Sequence, residues 1–203
     1  GAPAEGALIG PAFPEVLATA QSGEHAAIER LYRDVAPLVI GYLRANGASE
    51  PEDTASDVFV SMVTQIARFN GDEPHFRSWL LTITHRRLID EFRKRSRRPE
   101  DPVPSDQLGD REPRITGDVE SDAMLRLRSR GVLESLDQLT QDQRAALMLR
   151  VLADLPVSTI ADVMGKPETA VKALLRRASA SLQRLLAPYE AADVDLPVRG
   201  GGA

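Results

Sequence analysis

The stretch SEPEDTASDVFVSMVTQI, residues 49–66, is written in the period of an α-helix. Ala55, Val58, Phe59, Met62, Val63 and Ile66 recur at i, i+3, i+4, i+7, i+8 and i+11, which puts all six on one face. Ser49 with Glu52 three residues later is a capping-box signature, and Pro51 suits a first helical turn. Upstream, Phe13 to Ala20 reads as a short helix closed by Ser22-Gly23. A second helix starts near Glu24 and presents Ile28, Leu31, Tyr32 and Val35, and Pro37 should kink or split it before Leu38–Leu43. Period-2 alternation is scarce throughout, so the chain reads as all-α.

Downstream, a loop over residues 69–74 leads into a helix from His75 to about Arg97. That helix is apolar early (Phe76, Trp79, Leu80, Leu81, Ile83), basic late, and stopped by Pro99. Residues 99–122 mix four prolines with acids and few apolar side chains, the composition of an extended, flexible linker. A second helical group follows, with Leu125, Val132, Leu133 and Leu136 as core positions. Thr140 and Gln143 form another capping box, opening a helix to about Leu152. Pro156–Met164 and roughly Pro167–Leu186 are then joined by Gly165-Lys166, the pattern of a helix-turn-helix. Pro188 should end the last helix. The expected organisation is two small helical domains, 13–98 and 123–187, on a linker that lets their separation vary, with disordered ends at 1–12 and 188–203.

The net charge of −5 at first argues against a nucleic-acid partner, but the charges are segregated. Residues 85–98 carry seven Lys/Arg against two acids, whereas residues 99–122 carry eight acids against two Arg. The absence of cysteine excludes disulfides and thiolate metal sites and fits a reducing, cytoplasmic setting. No apolar run is long enough to span a membrane, and no signal peptide is visible.

The set Pro51-Glu52-Asp53, Asp57-Val58-Phe59-Val60, Arg68-Phe69, Phe76-Arg77-Ser78-Trp79-Leu80, Ile83, Asp90, Arg93-Lys94 and Arg97-Arg98 resembles region 2 of bacterial sigma factors. Residues 136–186 resemble their region 4, above all at Ile160-Ala161, Gly165, Val171-Lys172 and Arg177-Ala178. With an acidic linker between the two and no recognisable region 1.1 or region 3, the chain resembles the minimal, extracytoplasmic-function group. That resemblance implies a factor that binds core RNA polymerase, recognises the −35 and −10 promoter elements and assists melting. It implies promoter DNA and an anti-sigma factor as partners, with no cofactor, metal, catalysis or small-molecule substrate.

By resemblance, Asp53, Asp57 and Val60 meet the clamp helices of the polymerase, and the loop 70–75 with the start of the next helix holds a flipped −10 base. The −10 candidates are Asn70, His75, Phe76, Arg77, Trp79, Arg86, Arg87, Arg93, Lys94 and Arg97. The chemistry suits single-stranded DNA, where bases stack on rings and phosphates meet cations. Phe76 and Trp79 also suit a domain core, Phe76 more than Trp79, and the sequence leaves both readings open. Near the start of the recognition helix, Thr169, Lys172, Ala173 and Arg176 are the −35 candidates. Four positions depart from the family's common residues: Ser56 for Gln, Arg86 for Asn, and Ala173-Leu174 for Ser-Arg.

Two other classes compete. A one-component helix-turn-helix regulator would need a ligand-sensing N-terminal domain, whereas helices 13–97 end in a basic run. A hydrolase or metalloenzyme finds no support, because His25, His75 and His85 are scattered and no nucleophile elbow or phosphate loop occurs.

Overall fold

The computed structural model describes residues 9–97 and 135–193, with side chains through Ser96 and Leu185. Seven α-helices of eight residues or more are described. The first group holds α1 (Phe13–Gln21), α2 (His25–Ala45), α3 (Pro51–Gln65) and α4 (Glu73–Arg97), with short 3-10 turns at Gly10–Ala12 and Ile66–Arg68. The second holds α5 (Gln141–Val151), α6 (Val157–Met164) and α7 (Glu168–Asp193). No strand occurs among the described residues, in line with the all-α expectation. The linker 99–122 and Leu125, Val132 and Leu133 lie outside the described residues.

The heptad-like face of α3 is buried at Ala55, Val58, Phe59, Met62 and Ile66. Val63 departs from this, with 44% of its surface exposed. α2 supplies the facing layer through Leu31, Val35, Val39, Tyr42 and Leu43. Pro37 does not split α2, which runs unbroken from His25 to Ala45. Pro37 is exposed, so the carbonyl four residues back that loses its N–H partner can turn to water, while the apolar face on either side holds the helix to the core.

The capping box expected at Ser49 and Glu52 does not form. Glu50 is the N-cap of α3 and makes no side-chain cap. Glu91 of α4 instead accepts both the Ser49 amide (2.8 Å) and the Ser49 hydroxyl (2.6 Å), and Arg95 binds the same carboxylate. Burial pushes the Glu91 carboxyl up, but these hydrogen bonds outweigh it and hold it below the usual carboxylate range. Glu52 pairs with Arg44 of α2. At the second site the expectation is met: the Thr140 hydroxyl accepts from the Gln143 amide, and the Gln143 side chain accepts from the Thr140 amide. Pro188 does not end α7, which continues to Asp193; one missing N–H removes only one link of the helical ladder. Within the start expected to be disordered, Ile9 and Gly10 are hydrogen-bonded and residues 10–12 form a turn.

The two helical groups touch, α4 against α6 and α2 against α5. His85 of α4 is buried in this region with its Nδ1 2.9 Å from the Tyr42 hydroxyl. Asp142 and Lys166 of the second group, themselves paired at 2.9 Å, lie within electrostatic reach of it. Burial pushes the His85 imidazole below its ordinary value, Asp142 opposes this and Lys166 adds to it. The folded chain therefore keeps His85 neutral where the unfolded chain has begun to take up a proton. The associated stability is full above about pH 6.5, the ordinary histidine value, and is lost as pH falls below it. Between pH 7.5 and 5.5 the unfolding free energy should fall with a slope of at most about 1.4 kcal/mol per pH unit from this group, read as a falling urea midpoint. In His85→Gln, which cannot titrate, that part of the slope should vanish; an unchanged slope would place the titration elsewhere.

Candidate nucleic-acid interface

The loop between Ile66 and Glu73 is built by short-range rules and held by long-range ones. Asp72 accepts from the His75 amide at 3.0 Å and so caps α4, with Pro74 in the first turn. The helix therefore begins two residues before His75, and the Asp-Glu-Pro sequence carried that signal. Asp72 also meets the His75 ring at 2.5 Å. The His75 amide first, then its side chain, holds the Asp72 carboxyl below its ordinary value.

Beneath the loop lies an aromatic cluster. Phe76 packs edge-on against Phe69 (5.4 Å between centroids) and at a tilt against Phe13 (5.5 Å) and Trp79 (5.6 Å), and Phe69 lies 5.1 Å from Trp79. Phe76 is fully buried, so it supports the loop from the core and has no face for a nucleobase; its place among DNA-contacting residues is corrected accordingly. Trp79 is half-buried, packed on the core through the same cluster. Asn70 and His75 are exposed beside it, and Arg77 is half-buried.

Along α4, Arg86, Arg87, Arg93 and Lys94 are exposed; the Arg97 side chain lies outside the described residues. Not all of this charge is equally available. Arg93 pairs with Asp90 at 3.5 Å, and Arg95 is turned to Glu91, Ser49 and the ring of Phe92. Arg87 reaches α3, with its guanidinium 3.8 Å from Asp57 and 3.2 Å from the Ser61 hydroxyl. It therefore joins the α3 surface as well as the basic run.

That surface is distinct. Asp53 and Asp57 are exposed on α3, and next to them Tyr32, Ser56, Phe59, Val60, Val63 and Thr64 line a shallow apolar groove. Val60 is 64% exposed, unusual for a valine on a helix that already buries a full face. Tyr32 stands edge-on to Phe59 at 4.6 Å and forms one wall.

In the second group, α6 ends at Gly165, whose φ of 62° is the left-handed conformation that closes a tight turn, and α7 starts three residues later. Val171 and Ala178 are fully buried and seat α7 on the core. Thr169, Lys172 and Arg176 are exposed, and Lys172 lies 3.4 Å from Glu168 one turn back. Ala173 and Leu174 are half-buried, and Leu174 packs on the core. Sequence reading missed Gln21, Glu73, Glu91 and His85, whose partners lie more than 40 residues away.

These features define an all-α protein with a helix-turn-helix in its second half and a basic helix beside an aromatic-backed loop in its first. Residues 29–98 match the family model for Sigma-70 region 2, and residues 129–182 match that for Sigma-70 region 4. The chain is 32% identical over 174 residues to the ECF RNA polymerase sigma factor BldN of Streptomyces coelicolor, covering 85% of this chain and 65% of that one. It is 28% identical over 178 residues to the RNA polymerase sigma-H factor of Pseudomonas aeruginosa, covering 83% and 90%. It is also 28% identical over 187 residues to the ECF sigma factor SigD of Mycobacterium tuberculosis, covering 88% and 84%. Among solved structures, the fold is similar to that of CnrH in complex with the cytosolic domain of CnrY (TM-score 0.60, 22% identity, 91% of this chain and 99% of that one). It is likewise similar to the sigma factor RpoE of Bartonella quintana in complex with the anti-sigma factor NepR (TM-score 0.61, 20% identity, 83% and 98%). The chain belongs to the sigma-70 family, in its extracytoplasmic-function group. Among the described residues, no helix is long and apolar enough to cross a membrane.

Proposed function

We propose that this chain is a promoter-specificity subunit that binds core RNA polymerase through α3, reads and helps melt the −10 element with the loop 69–75 and α4, and anchors at the −35 element with α7. It carries out no covalent chemistry; the polymerase does. The observation that carries the reading is the pairing of an exposed apolar-and-acidic surface on α3 with a cationic, ring-backed edge on α4 in one domain. Docking and DNA contact are thereby assigned to adjacent but separate faces.

Asp53, Asp57 and Val60 form the polymerase contact, with Tyr32 and Val63 added by the groove. Asp57→Lys should weaken capture of core polymerase by about tenfold, because it places like charges together at an interface. It should leave the circular dichroism unchanged, since the exposed Asp57–Arg87 pair contributes at most about 1 kcal/mol. Size-exclusion binding at moderate salt decides this, and equal affinity would put the docking surface elsewhere.

Asn70, His75, Arg77 and Trp79 form the −10 site, and Arg86, Arg87, Arg93, Lys94 and Arg97 supply phosphate contacts. The −35 site is Thr169, Lys172, Ala173 and Arg176. Lysine is a flexible point charge, whereas bidentate guanine reading favours arginine. Lys172→Ala should therefore weaken promoter binding by a similar factor across −35 variants and flatten its salt dependence by roughly one counterion. Loss of preference at a single base pair would instead make Lys172 a direct reader.

Elements named −35 and −10 are about 25 base pairs apart, or roughly 85 Å at about 3.4 Å per step. With α4 against α6, the two reading faces cannot span that distance, so the groups separate when the factor engages a promoter. An anti-sigma partner gripping both groups would oppose that separation and gain affinity from the linkage. The RpoE–NepR complex, a sigma factor held by an anti-sigma factor on a similar fold, supports this partner class.

A further inference from the structure

Residues 9–21 lie ahead of the region 2 match, which begins at residue 29, yet they grip both ends of the loop given the −10 role. At the upstream end, the side-chain nitrogen of Gln21, at the C-terminus of α1, donates to the Ile66 carbonyl at 3.0 Å and the Phe69 carbonyl at 2.7 Å. One amide nitrogen carries two hydrogens, so this single group ties together both corners of the turn. At the downstream end, the buried Glu73 carboxylate accepts the Ile9 amide at 2.8 Å on one oxygen and the Gly10 amide at 2.9 Å on the other. Between the two clamps, the Phe13 ring packs on Phe76 beneath the loop. Only the short span containing Asn70 and Gly71 is left without such a clamp.

We infer that Gln21 is a positioning residue for −10 specificity, acting with Glu73 through residues 9–21 to fix the loop that receives the base. This rests on the −10 assignment of that loop. A recognition loop discriminates between bases only if its geometry is set before the base arrives, because a loop that can adapt accepts several bases at similar cost. Gln21 touches no DNA in this account. Its amide sets where the Phe69 carbonyl, and hence Asn70 beyond it, stands. The carboxylate in Gln21→Glu would aim lone pairs at two carbonyl oxygens, so that variant should act in the same direction as Gln21→Ala, and more strongly.

The test uses the 203-residue chain with core polymerase, transcribing a duplex library randomised across the −10 and −35 segments, with the transcribed templates sequenced. Gln21→Ala should lower the preference at one −10 position by about three- to tenfold, and Gln21→Glu by more, with −35 preferences and core affinity unchanged. A purely structural role would lower the melting temperature and reduce transcription evenly over all −10 sequences, which overturns the inference. Asn70→Ala is run in parallel. If it shifts the −10 preference and Gln21→Ala does not, the positioning role fails and the loop assignment stands. If neither shifts it, the loop assignment fails and the inference falls with it.

Discussion

Gly71→Ala should strip the chain of most of its −10 selectivity while leaving its helices and its affinity for core polymerase intact. A Cβ at Gly71 would lie 2.8 Å from the His75 Cβ and 3.1 Å from the Phe69 ring. The His75 Cβ is fixed to the first turn of α4, which Asp72 caps, so it cannot swing aside as a side-chain tip would. The loop must move instead, and it moves at the point where Asn70 is presented. Overpacking of this kind costs about 1–3 kcal/mol, which corresponds to roughly five- to hundredfold in −10-dependent promoter opening. Opening is read on promoters recovered from the randomised library, alongside core capture by size exclusion. Equal opening rates for the variant and the parent chain would show that the loop's position does not matter.

Phe76→Ala should have the largest effect on stability, about 3–5 kcal/mol. Phe76 is fully buried, and its ring contacts Phe13, Phe69 and Trp79, so truncation leaves three rings facing a cavity. Trp79 is the only tryptophan, which makes its fluorescence a direct report on this cluster during urea unfolding. The transition midpoint should fall sharply and the native emission should shift to the red as the indole gains water. A midpoint within about 1 kcal/mol of the parent would mean that the cluster closes over the gap. Trp79→Phe, which keeps an aromatic ring, should cost far less stability.

Which features were legible in the sequence follows from how local their causes are. The capping box at Thr140 and Gln143 forms because both partners sit within one turn and nothing distant competes. The equivalent pattern at Ser49 and Glu52 fails because Glu91, 42 residues away, takes the Ser49 amide and hydroxyl. Pro37 and Pro188 each remove one backbone donor, and in both cases the helix continues through it. Periodicity identified the α3 face but placed Val63 on it with the buried positions, whereas Val63 is left 44% exposed. The reading surface was legible in outline, as rings and cations adjacent in sequence. Separating Phe76 from Trp79 required the position of Phe13, 63 residues upstream. The clamps from Gln21 and Glu73 have no local signature at all.

The central claim is that this chain confers promoter choice on RNA polymerase. Core polymerase, with and without the purified chain, is given the duplex library randomised across the −10 and −35 segments, and the RNA products are sequenced. With the chain present, transcripts should start from a narrow family of templates sharing two sequence blocks at fixed spacing, and that family should be absent with core polymerase alone. Identical template profiles with and without the chain, in a reaction where the chain elutes with core polymerase, would contradict the account.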